Sequence, residues 1–225
     1  MKINEYGRQL DAAAIEAGEH RNFVGGLWDE MGALQLDFLK AQGLQPGQRL
    51  VDVGCGALRG GVHFIRYLEP GHYYGIDINA SLIDAGTREI AQLHLDGKTP
   101  HLLVNDRFEL FRFATRFDCA IATSVFSHLP LNHIVRCMVE VRKVLQSGAR
   151  FFATFFEAPT SAHLDPLPHV PGGIVTYLDA DPYHYSVDEI RWVAGNAGLA
   201  AERIGDWGHP RDQRMWSFRD ALLAQ

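Results

Sequence analysis

A chain of 225 residues with 47% apolar content can bury one sizeable core, and it reads as a single domain over residues 1–225. The formal net charge of −6, with no basic block anywhere, argues against nucleic acid as a partner. Cys55, Cys119 and Cys137 show no close pairing, no apolar run follows Lys2, and no segment approaches the roughly 18 apolar residues of a spanning helix. These features exclude a disulfide scaffold, a secretory signal and a membrane partner, and the expected location is the cytoplasm.

Taken in chain order, residues 8–18 and 29–42 carry helical periodicity. The second run presents Met31, Leu34, Leu36, Phe38 and Leu39, and Gly43, Pro46 and Gly47 stop it. Between them, Phe23-Val-Gly-Gly-Leu-Trp28 sets a glycine pair among aromatics. It reads either as the hinge of a lid formed by residues 1–45 or as a turn whose Trp28 is buried for packing. Seven strand-like runs follow: 50–53, 73–77, 102–105, 117–123, 149–156, 200–204 and 215–218. Helical runs at 62–68, 81–95, 131–145 and 187–197 alternate with them. Pro130 precedes the third of these helices, Gly148 lies just past it, and Ser186-Val-Asp-Glu189 has the form of a capping box. The alternation predicts an α/β fold: a doubly wound, mostly parallel seven-stranded sheet with helices on both faces and an N-terminal helical segment. Ligands in such sheets bind outside the carboxyl ends of the strands.

Residues 157–185 break the rhythm. They hold Pro159, Pro166, Pro168, Pro171, Pro182, Gly172-Gly173 and His163, His169 and His184, and are too long for an ordinary connection. They are expected to form a cap inserted after strand 5 that shapes a substrate pocket; a solvent-exposed loop or a homodimer contact is the competing expectation. His163, Asp165 and His169 are close in sequence, but no CxxC or HExxH spacing accompanies them, so no metal is expected.

The chemistry concentrates in Arg49-Leu-Val-Asp-Val-Gly-Cys-Gly-Ala-Leu-Arg-Gly-Gly61. An apolar strand ends in Asp52 and breaks into Gly54 and Gly56, a turn that brings bare backbone N–H groups and a helix start toward a ligand. A second strand ends in Asp77, 25 residues after Asp52, where an acid commonly holds ribose hydroxyls. An acid just before the glycines repels a pyrophosphate and suits a ligand carrying an ammonium group, and Leu58 stands where a third glycine would fall. A dinucleotide is disfavoured on both counts.

Over roughly residues 20 to 157 this pattern resembles the class I (Rossmann-like) S-adenosylmethionine-dependent methyltransferases, although Leu58-Arg59-Gly60-Gly61 departs from the commonest form of the glycine loop. The resemblance implies S-adenosyl-L-methionine as cofactor. In that family the glycine loop (here Asp52, Gly54 and Gly56) packs on the amino-acid end of the cofactor, and the second-strand acid (here Asp77) holds the ribose. Ile78 would lie against the adenine face, and Asp106 would accept from the adenine amino group. Phe108 packs either on the base or in the core. Arg59 either reaches the cofactor carboxylate or lies solvated in the first helical turn. Thr123 and Ser124 match the loop that meets the sulfonium.

The resemblance implies methyl transfer to an O, N or C atom of a small molecule. Alignment supplies most of such a displacement, and a base is needed only when the acceptor must lose a proton. His128, on the loop after the fourth strand, is the first candidate base, and His184 the second; each has a packing role as its alternative. Trp28, Tyr183 and Tyr185 are candidates for contact with the substrate and the sulfonium through their aromatic faces. Two other outcomes stay open: a non-methyl reaction of the same cofactor, such as intramolecular cyclisation, or a non-catalytic cofactor-binding sensor or partner subunit.

Overall fold

Capping chemistry sets the first elements of the computed structural model, which describes residues 4–159, 162 and 164–223 and so leaves His163 outside. Helix α1 (Ala12–Glu16) starts where the Asp11 side chain accepts the Ala14 N–H at 2.8 Å, and Gly18, at φ +79°, separates it from α2 (Glu19–Phe23). The sequence pattern predicts one helix over 8–18. It starts late because Asn79 Nδ2 donates to the carbonyls of Tyr6 and Arg8, at 2.7 and 2.8 Å, while the Leu10 N–H donates to Ser81 Oγ. With those backbone groups engaged elsewhere, residues 8–11 cannot enter the helical ladder.

By its contacts the chain divides into two units, Glu5–Cys119 and Ala120–Gln225, the second also taking in Asn4. The first continues with α3 (Trp28–Ala41), β1 (Leu50–Val53), α4 (Gly61–Tyr67), β2 (Tyr73–Asp77), α5 (Ala80–Gln92) and β3 (His101–Val104). Strand β4 (Phe117–Ala122) then carries the chain into the second unit. The strand order in the first unit is β3-β2-β1-β4, with β1 and β3 parallel to β2. Leu50, Val51 and Val53 are fully buried, as expected of a strand covered on both faces. The register sets Asp52 opposite Gly75, and the site depends on that pairing.

The second unit holds α6 (Leu131–Val144), β5 (Leu145–Ala158), β6 (Leu167–His169), β7 (Ile174–Thr176), β8 (His184–Ser186), α7 (Val187–Asn196), β9 (Leu199–Gly205) and β10 (Arg214–Asp220). Here the order is β4-β5-β10-β9, with β10 antiparallel to both neighbours. Ile134, Met138 and Val141 of α6 are fully buried, and Phe126, Phe151, Phe155 and Phe218 pack edge-on and tilted, with centroids 5.3–6.3 Å apart. The predicted capping box opens α7 with both of its bonds in place. The described part of residues 157–185 is more than an open loop. It includes the antiparallel β6–β7 ribbon and β8, which pairs in parallel with β5 and adds an eighth strand to the seven expected. Three residues are too few for a periodic signal.

Leu58 occupies an unusual position. Its backbone is left-handed at φ +70°, yet its side chain is fully buried. A Cβ placed on Gly61 would lie 2.8 Å from Leu58 Cβ, and one on Gly86 would lie 2.7 Å from Leu58 Cγ. The leucine thus fills space that α4 and α5 leave open through their glycines. Leu58→Ala should therefore destabilise the protein by about 2–5 kcal/mol in urea unfolding. A loss below about 1 kcal/mol would show that neither helix packs on this side chain.

Candidate active site

The turn after β1 is built by backbone hydrogen bonds. Gly54 N–H and Cys55 N–H donate to the Ile76 carbonyl at 2.8 and 3.1 Å, and Gly54 and Gly56 sit at φ +72° and +54°. Gly56 N–H then donates to Asp77 Oδ2, and Asn79 N–H to Asp77 Oδ1, both at 2.8 Å. The Ile78 N–H also faces this carboxyl, and its two oxygens together keep lone-pair capacity for further donors. Burial raises the Asp77 carboxyl above its usual range, and those backbone bonds oppose the shift. Ile78, next in sequence, is 52% exposed, an apolar surface beside a fixed pair of acceptors. The segment 23–28 is fastened to the same turn: Arg59 Nη1 donates to the Gly26 carbonyl at 2.9 Å, and a Cβ on Gly56 would lie 3.1 Å from Val24 Cγ1.

Asp52 lies beneath this turn, 5% exposed, and accepts the Tyr73 hydroxyl at 2.9 Å. Because Gly75, its register partner, has no side chain, the hydroxyl of Tyr73 can reach along the same face. Burial pushes the Asp52 carboxyl up to about 7; the Tyr73 bond opposes the shift, the Asp77 charge adds to it and Arg59 reduces it. The sequence reading did not single out Tyr73, since its role follows only from the register. Arg59 is half-buried rather than solvated. Asp52, Gly54, Gly56, Arg59 and Asp77 therefore share one end of the first unit.

The remaining candidates of that unit are placed as follows. Asp106 is exposed, and the loop around it is shaped by Asn105, whose Oδ1 accepts the N–H groups of Arg107 and Glu109. Phe108 is half-buried at φ +58°. Trp28, also half-buried, carries the Arg21 guanidinium 5.0 Å above its ring and meets His20 edge-on. Burial raises the Glu89 carboxyl, but Arg21 and His20 bind it and together outweigh burial, holding it below its usual range.

In the second unit, Ser124 follows β4 at φ +58°, and its N–H donates to Thr154 Oγ1 at 2.7 Å. Thr154 donates on to Gln213 Oε1 at 2.6 Å, and Ser124 Oγ donates to the same oxygen at 3.2 Å. Thr123 Oγ1 and Ser127 Oγ are buried and make no hydrogen bond among the described residues. His128 Nδ1 lies 2.5 Å from Asp181 Oδ1, with both side chains half-buried. Tyr185 is buried and donates to the Leu129 carbonyl; Tyr183 is half-buried, and its N–H donates to the Ser127 carbonyl at 2.7 Å. His184, the second candidate base, is fully buried. Its Nδ1 lies 2.8 Å from Thr176 Oγ1, which also meets His169 Nε2 at 2.8 Å. Thr154, Asp181 and Gln213 escaped the sequence reading because they reach their partners across 30 to 89 residues.

Since Asp52 ionises in the unfolded chain near the ordinary carboxylate range and in the fold only near 7, its ionisation penalises the fold. The cofactor-free protein should lose stability as pH rises from about 4 to 7, by at most about 1.4 kcal/mol per pH unit from this group. Asp52→Asn should flatten that window relative to wild type in urea titrations at several pH values. An unchanged slope would place the titration elsewhere.

Residues 51–151 match a methyltransferase domain model. The ribosomal RNA small subunit methyltransferase C of Alcanivorax borkumensis is 31% identical over 100 residues, which span 44% of this chain and 30% of that protein. Among solved structures, the CcbJ methyltransferase of Streptomyces caelestis superposes with a TM-score of 0.68 at 19% identity, covering 98% of this chain and 100% of its own. Magnesium protoporphyrin IX methyltransferase of Synechocystis PCC 6803, solved with bound SAH, gives 0.60 at 16%, covering 95% and 89%. At such identities the structural likeness is one of fold. Domain match, fold and glycine turn agree: residues 51–151 match a methyltransferase domain, and the chain has the fold of class I S-adenosylmethionine-dependent methyltransferases.

Proposed function

We propose that the protein transfers a methyl group from S-adenosylmethionine to a small molecule. The observation that carries the cofactor half of this reading is Asp77, fixed by Gly56 and Asn79 N–H groups with lone pairs left for a pair of hydroxyls, beside the exposed Ile78. When bound, the cofactor supplies an electrophilic methyl on a sulfonium. Asp77 would hold the ribose, Ile78 would cover the adenine face, and Asp106 would accept from the adenine amino group. The buried Asp52 would add negative charge beneath the amino-acid end, where Arg59 is available to a carboxylate. Residues 23–28, fastened to the turn, would exclude water from it.

The acceptor half rests on support of a different kind. The magnesium protoporphyrin IX methyltransferase acts on a small molecule, and the formal charge of −6 disfavours a polyanionic acceptor. The ribosomal RNA methyltransferase shares only 30% of its length with this chain. Among the described residues no helix is long and apolar enough to cross a membrane, and we assign the protein to the cytoplasm. Thr123 and Ser124 are proposed to line the reacting end, and residues 157–185 to shape the acceptor pocket. His128 would take the proton from an acceptor that must lose one.

Asp77→Ala should weaken S-adenosylhomocysteine binding by about 1.5–3 kcal/mol in calorimetry, the worth of a charge-assisted hydrogen bond; unchanged affinity would remove Asp77 from the site. Incubation with methyl-labelled cofactor and a cell extract should put label into the low-mass fraction. Label recovered in RNA instead would overturn the small-molecule reading.

A further inference from the structure

We propose that Asp181 is a positioning residue that holds His128 in one tautomer, and that the acceptor therefore carries an acidic O–H or N–H. The inference rests on the reading of His128 as base and specifies the substrate class it serves. Asp181 Oδ1 lies 2.5 Å from His128 Nδ1, and an ionised carboxylate only accepts. The bond therefore requires Nδ1 to carry hydrogen, and in the neutral ring Nε2 becomes the basic nitrogen.

The backbone around the ring is held on three successive carbonyls. Tyr183 N–H donates to Ser127 O, Asn4 Nδ2 to His128 O at 2.9 Å, and the Tyr185 hydroxyl to Leu129 O. Residues 181–185 thus run along residues 127–129 and deliver the carboxylate to the ring. Asp181 and His128 are 53 residues apart, so the contact exists only because of this docking. A base needs its lone pair on a defined nitrogen, and the bond to Asp181 supplies that. A thiolate or an electron-rich carbon acceptor would give such an arrangement nothing to do, and a hydroxyl or a protonated nitrogen gives it a proton to take.

The test reads the tautomer directly, by nitrogen-15 imidazole shifts of the full-length, cofactor-free protein at a pH where the ring is neutral. Wild type should show His128 with Nδ1 protonated. Asp181→Ala should shift it toward the Nε2-protonated form, and Asp181→Glu should restore at least part of the bias. Identical tautomers in wild type and Asp181→Ala would overturn the proposal, with the fold of each variant checked by its thermal transition. In turnover assays with methyl-labelled cofactor and the low-mass extract fraction that takes up label, Asp181→Ala should lower kcat at least about tenfold and by no more than His128→Ala, with S-adenosylhomocysteine affinity within a few-fold. If His128→Ala keeps wild-type kcat, the base reading fails while the tautomer measurement still decides the role of Asp181. If His128→Ala is impaired and Asp181→Ala is not, the positioning role fails alone.

Discussion

The hydrogen bond from Gly56 N–H to Asp77 Oδ2 is the constraint on which the candidate site of the first unit depends. It ties the turn after β1 to the end of β2, and it holds only if Gly56 keeps a left-handed backbone and the two strands keep their register. That register also places Gly75 opposite Asp52 and admits the Tyr73 hydroxyl to the buried carboxylate. Two acids are thus buried at one end of the unit; burial raises both carboxyls, and the Asp77 charge adds to the shift of Asp52. A positive charge beside these buried carboxyls would favour their ionised forms.

The second unit solves a different problem, that of holding a loop still. Residues 127–129 have their carbonyls engaged one after another, and residues 181–185 are the main suppliers. The same stretch is anchored further on by the chain of contacts His184–Thr176–His169, with His169 Nδ1 3.6 Å from Asp212. Burial lowers His169 below the usual histidine range against the pull of Asp212, consistent with a neutral ring in a structural hydrogen-bond chain. The proline-rich insertion is therefore part of the scaffold as well as its edge. Preorganisation of this kind is what a displacement reaction needs most from its protein.

Much of this was legible from contiguous residues. Strands β1 and β2 begin and end where hydrophobic runs and glycines place them, and Asp52, Gly54, Gly56 and Asp77 are found by spacing alone. What could not be read was set by distant partners. The first helix starts late because Asn79, some 70 residues on, engages its carbonyls. Tyr73 gains its role from strand register, and Asp181 from a docking contact across 53 residues. Strand β8 is recruited by the edge of β5 rather than by any periodicity of its own.

Leu58 shows how a motif can change its spelling while keeping its shape. A branched side chain stands at a left-handed position, and the volume it takes is returned by Gly61 and Gly86 on the helices it touches. The three positions are consequently one unit of variation. Grafting a loop with glycine at 58 into this chain would leave a hole, and enlarging Gly86 alone would collide with the leucine, whereas exchanging both together keeps the volume constant. A change from this loop to the commoner form of the glycine turn therefore calls for a matching change at a residue of α5 that lies 28 positions away.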